Sequence, residues 1–245
     1  DSSRFPGKPL KKINGIPMIG HCYYRAKMSK MTKEVYVATC DTEIESYIHS
    51  IGGKAIMTSA DHERASDRVS EAMVKIEKEK GYKTDIIILY QGDEPMITPE
   101  MIDLSINKML ADNNVEVINL MSEINSEIEF KDPNEVKVVV DNNNDAIYFS
   151  REPIPSTKKY SEQIKKYKQV CVIPFRRNSL IEFNNTQQTY LEEIESIDML
   201  RIIQTGKKVR MVNIDKHVFS VDTPSDLKKV EDLMTNDKLI KLYGQ

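Results

Sequence analysis

A chain of 245 residues, 40% hydrophobic and 30% charged, has the make-up of a soluble globular protein able to bury a substantial core. Its formal net charge of -3 gives no global basic field for nucleic acid, no run approaches a membrane span, and its three scattered cysteines form no CxxC pair. Nucleic-acid-binding, membrane-embedded and disulfide-scaffold classes are therefore set aside, and a reducing cytoplasm is the expected compartment.

Taken in chain order, residues 1–8 read as a loop carrying Arg4, Gly7 and Lys8. A helix is predicted over Met18 to Lys30, a strand over Val35 to Cys40, and a helix over Thr42 to Ile51 with Asp41 as cap and Gly52-Gly53 as stop. The strand Lys54 to Ser59 precedes a helix over Ser66 to Lys80, capped by Ser66 or Asp67 and ended by Gly81. Asp85 to Tyr90 is an apolar strand, and Pro99 to Ala111 a helix with proline at its first position. This alternation predicts βαβ units and a mainly parallel sheet.

Beyond the strand Val115 to Met121 the rhythm changes. Strands over Val136 to Asp141 and Ala146 to Ser150 flank an Asn/Asp turn, and a strand over Gln169 to Phe175 follows a Lys-rich stretch. This reads as an antiparallel hairpin and lobe over residues 122–175, an extension of one domain covering 1–245. A helix over Leu191 to Thr205, a strand over Val209 to Ile214 and a helix from Pro224 complete the pattern.

Two acidic turns carry the chemistry. Gln91-Gly92-Asp93-Glu94-Pro95 directly follows the apolar strand, and Val221-Asp222-Thr223-Pro224 directly precedes the last long helix. In α/β folds ligands bind beyond the carboxyl ends of the strands, so two carboxylates converging there would hold a divalent cation. A cation beside phosphates points to phosphoryl or nucleotidyl transfer. Each motif has a plainer reading: Asp93 as an ordinary turn residue, Asp222 as part of a helix start. The basic opening segment can wrap phosphate oxygens or can be a solvated terminus. No GxGxxG follows a strand, which disfavours a nicotinamide-dependent oxidoreductase, and no Gly-x-Ser-x-Gly elbow supplies a covalent nucleophile.

Seven segments then occur in one order: 3–10 (Ser-Arg-Phe-Pro-Gly-Lys-Pro-Leu), 57–62, 91–95, 132–139, 148–155, 191–196 and 221–224. Together they resemble the 3-deoxy-manno-octulosonate cytidylyltransferase family over nearly the whole chain. The resemblance implies a Rossmann-like α/β nucleotidyltransferase fold and a homodimer. It also implies transfer of CMP from CTP to the anomeric hydroxyl of a 3-deoxy-2-keto sugar acid, with release of pyrophosphate. By motif, Arg4 and Lys8 would hold the CTP phosphates and Asp93 and Asp222 would bind magnesium. Ser66, Asp67 and Arg68 would lie near the cytidine, and Gln91, Gln169, Glu192 and Glu195 on the sugar side.

Three departures stand out. The family pattern places a strand before the Ser-Arg-x-Pro-Gly-Lys loop, so further residues are expected upstream of Asp1. Arg64-Ala65-Ser66 replaces a Ser-Gly-Thr sequence, and Gln169-Val170-Cys171-Val172-Ile173 replaces a strand bearing His and Tyr. The last change leaves the octulosonate or a modified relative as the expected sugar, a nonulosonate as the alternative, and a non-catalytic nucleotide-binding homologue as the rival of another class.

Overall fold

The computed structural model describes residues 5–159 and 164–244. Gly7, at φ 68°, turns the chain into a short 3-10 helix over Lys8–Leu10. Strands β1 (Lys12–Ile13) and β2 (Ile16–Pro17) form a small antiparallel hairpin, with positive φ at both Asn14 and Gly15 in its turn. Next come α1 (Met18–Lys27), β3 (Val37–Thr39), α2 (Thr42–Ser50), β4 (Ala55–Met57) and α3 (Ala65–Lys80). As expected, the Asp41 carboxylate accepts from the amides of Glu43 and Ile44 to start α2. The start of α3 differs from expectation: Arg64 is its cap, so Ser66 and Asp67 already lie in the first turn. Its end is as expected, with Gly81 at φ 73°.

The chain continues through β5 (Ile86–Tyr90), α4 (Pro99–Ala111), β6 (Ile118–Glu123), α5 (Glu127–Lys131), β7 (Lys137–Val140) and β8 (Ala146–Ser150). Then follow β9 (Tyr167–Val170), β10 (Val172–Arg176), α6 (Arg177–Asn185), α7 (Tyr190–Glu195) and α8 (Met199–Gln204). The final elements are β11 (Arg210–Ile214), α9 (Pro224–Met234) and α10 (Ile240–Tyr243). Two predicted elements are divided. The strand expected over Gln169 to Phe175 breaks at Cys171 because β9 pairs with β6 and β7 whereas β10 pairs with β5. The helix expected from Leu191 to Thr205 breaks at Ser196, which stands at φ 53° and closes α7.

The chain forms two compact units. The first takes the chain up to Tyr82, Tyr90–Leu104 and everything from Val218. In it β3 and β4 are parallel and joined through α2. One apolar cluster gathers Phe5, Ile13, Met18, Val221, Val230 and Met234; another gathers Ile19, Tyr23 and Ile48. The second unit takes Lys83–Leu89 and Ser105–His217, and so contains all of the expected 122–175 extension. Its five-stranded sheet has the order β11-β6-β9-β7-β8, with β11 and β6 parallel and the remaining pairs antiparallel. The sheets are thus mixed. No helix among the described residues is long and apolar enough to cross a membrane.

Candidate active site

The first unit brings three of the expected residues together. Lys8 Nζ lies 2.8 Å from Asp93 Oδ2 and 3.4 Å from Asp222 Oδ1. The local sequence explains the meeting. Phe5 lies three residues before Lys8 and Val221 one residue before Asp222, and both are anchored in the same apolar cluster. The Lys8 amide donates to the Phe5 carbonyl, which ties the loop to its anchor. The Val221 amide donates to the Asp93 carbonyl at 2.9 Å, so the two acidic turns are joined through the backbone.

The turn after β5 is closed by the Glu94 amide on the Gln91 carbonyl and by the Tyr90 hydroxyl on the Glu94 carbonyl. A Cβ at Gly92 would lie 2.7 Å from the tip of the Ile19 side chain, which would have to shift to admit it.

Asp222 stands immediately before a capping box that uses other residues. Asp226 accepts from the Asp222 and Thr223 amides, while the Thr223 hydroxyl accepts from the Asp226 amide. The cap is supplied by Thr223 and Asp226, and the Asp222 carboxylate reaches toward Lys8. The Thr-x-x-Asp spacing was visible in the sequence, but Asp226 was not expected to matter. Replacing Asp226 with Ala is expected to lower stability by about 1 kcal/mol through loss of this cap. Urea denaturation of the variant against the parent chain measures it, and an unchanged midpoint would remove the positioning role.

Burial opposes the charge on Lys8, but the neighbouring Asp93 and Asp222 outweigh it and hold the ammonium above the ordinary lysine range. Asp93 Oδ1 is buried and has no hydrogen-bond partner among the described residues. Among those residues no group of three or more His, Cys, Asp or Glu side chains could enclose a metal. Magnesium suits this arrangement, because it is commonly held by one or two carboxylates together with substrate phosphates and water. The unpartnered oxygen and the cation already drawn to the pair are what such a half-site would present. Arg4 lies outside the described residues.

Other expected nucleotide residues lie in the same unit with different contacts. Arg68 donates to Thr58 Oγ1 at 2.6 Å and to the carbonyls of Ser59 and His62, so it fastens the loop that precedes α3. Ser66 is fully buried in the first turn of α3. Asp67 is half-buried in the first turn of α3. Gln91 is half-buried in the turn that carries Asp93.

In the second unit the expected sugar-side residues have internal partners. Glu192 is fully buried, and its two oxygens receive Arg201 Nη2 at 2.5 Å and Nε at 2.7 Å. This is a bidentate buried ion pair between α7 and α8. Glu195 accepts from Ser150 Oγ, Tyr148 Oη and the Arg151 amide, and so anchors the end of β8. Gln169 Nε2 donates to Asn119 Oδ1 at 2.6 Å, and buried Asn119 donates in turn to the carbonyls of Leu120 and Val170. Arg201 and Asn119 escaped sequence reading because neither stands in a motif.

The family model described as Cytidylyltransferase matches residues 1–209. The chain is 42% identical over 238 residues to 3-deoxy-manno-octulosonate cytidylyltransferase of Thermodesulfovibrio yellowstonii, covering 94% of this chain and 92% of that protein. It is 40% identical over 236 residues to the protein of the same name from Escherichia coli, covering 96% and 93%. A solved structure of CMP:2-keto-3-deoxy-manno-octonic acid synthetase complexed with CTP superposes with a TM-score of 0.87 at 40% identity, covering 97% and 95%. A putative glucose-1-phosphate thymidylyltransferase from Bacillus anthracis, 13% identical with a TM-score of 0.66 over 96% and 92%, shares the fold alone. By motif order, family match and coverage of nearly the whole chain, it belongs to the 3-deoxy-manno-octulosonate cytidylyltransferase family.

Proposed function

We propose that this chain transfers CMP from CTP to the anomeric hydroxyl of 3-deoxy-manno-octulosonate and releases pyrophosphate. The carrying observation is the meeting of Lys8 with Asp93 and Asp222 beyond β5, in a chain of this family. The sugar hydroxyl gives its proton to solvent as its oxygen attacks the α-phosphorus, the bond from that phosphorus to the bridging oxygen breaks, and pyrophosphate departs. Asp93 and Asp222 are the residues that would hold magnesium. When bound, magnesium polarises phosphate oxygens and offsets their charge. Lys8 supplies a positive charge for the triphosphate, and Arg4 joins it by motif. No covalent nucleophile is asked of the protein, so the chemistry rests on positioning and charge.

In this reading the protein works in the cytoplasm as a homodimer, which light scattering checks. The test of the reaction is pyrophosphate release with CTP and magnesium, offered a panel of 3-deoxy-2-keto sugar acids. Release with the octulosonate and CTP, and not with ATP, GTP or UTP, is expected. Turnover of a nonulosonate alone would move the sugar assignment, and CTP binding without release on any sugar would favour a non-catalytic homologue.

A further inference from the structure

The position of Lys8 has a consequence for how the site is loaded. The ammonium lies within reach of both carboxylates, and its side chain is only 10% exposed. It stands on a short 3-10 helix whose backbone is fixed by Gly7 and Phe5, so the four-carbon stem is the part free to swing. An ammonium and a divalent cation seeking the same oxygens repel each other. A triphosphate offers the ammonium a different set of anionic oxygens.

Resting on the reading of Asp93 and Asp222 as the magnesium-holding pair, we infer that Lys8 is a resident counter-ion that occupies this pair until nucleotide draws it away. Lys8 then makes metal loading depend on nucleotide, and by linkage metal favours the nucleotide-bound position of Lys8. Lys8 offsets part of the pair's charge before substrate arrives, and the cation is admitted when phosphate oxygens are present to complete its shell. Asp93 Oδ1, buried and without a partner among the described residues, is the oxygen Lys8 leaves unserved.

The experiment is a manganese titration of the nucleotide-free protein, read by electron paramagnetic resonance, for the parent chain, Lys8→Met, Lys8→Gln and Asp93→Asn. The Lys8 variants are expected to bind manganese on the order of tenfold more tightly than the parent. Adding Asp93→Asn to Lys8→Met should abolish that gain. Thermal unfolding provides the second readout: manganese should raise the melting temperature of each Lys8 variant more than that of the parent. Equal affinities with and without Lys8, together with a loss in Asp93→Asn, would overturn the exchange and leave the acid-pair reading standing. Manganese binding indifferent to Asp93 in every background would overturn both.

Discussion

Replacing Asp93 with Asn is expected to lower turnover by on the order of a thousandfold while the protein remains folded. The position of the Asp93 turn depends on its backbone: its carbonyl receives the Val221 amide, and the Tyr90 hydroxyl closes the turn on Glu94. Those bonds survive the substitution. What is lost is a negative charge 2.8 Å from Lys8 and the only carboxylate oxygen of the trio that is buried without a partner among the described residues. An asparagine amide would turn donors toward a cation instead. Metal-assisted charge stabilisation is worth several kcal/mol, and each 1.36 kcal/mol is a factor of ten in rate, roughly a thousandfold for 4 kcal/mol. Asp222→Asn should fall in the same direction. Pyrophosphate release with saturating CTP, with circular dichroism as the folding control, measures both. A magnesium-dependent rate near the parent's in either variant would remove that residue from the metal site.

The parts of the structure legible in the sequence were those in which local chemistry decides the outcome. Asp41 as a cap, Gly81 as a stop and Pro99 as the first residue of a helix each act through their nearest neighbours, and α4 has the expected bounds. The two acidic turns were legible because each adjoins an apolar segment. What escaped was set by partners distant in sequence. The run from Gln169 to Phe175 looks like one strand, yet its halves serve different sheets. Leu191 to Thr205 looks like one helix, yet Ser196 takes a left-handed backbone. The Asn14-Gly15 hairpin was missed because its strands are two residues each, too short for alternation to show.

The same distinction separates the site residues. Lys8, Asp93 and Asp222 needed only a loop and two turns delivered to one apolar cluster, and the motif order implied that much. Arg68 donates to the loop from Thr58 to His62, and Ser66 is buried in the first turn of α3.

Glu192 provides the sharpest test of that distinction. It is fully buried, its partner Arg201 is nearly so, and Arg201 also donates to the carbonyls of Phe183 and Thr186 while lying over the Phe183 ring. Removing one member of such a pair strands a charge away from water at a cost of about 3–5 kcal/mol. Glu192→Leu and Arg201→Met are each expected to destabilise the protein by that amount in urea denaturation. The double variant should recover most of the loss, because two apolar side chains leave no orphaned charge. A sugar ligand would behave differently: Glu192→Gln would raise KM for the sugar acid with stability unchanged. If Glu192→Leu were as stable as the parent and only its sugar KM had risen, the ion pair would lose its structural role and the residue would return to the substrate side. A stability loss that the Arg201 substitution reverses would establish instead that α7 and α8 are held together by this pair.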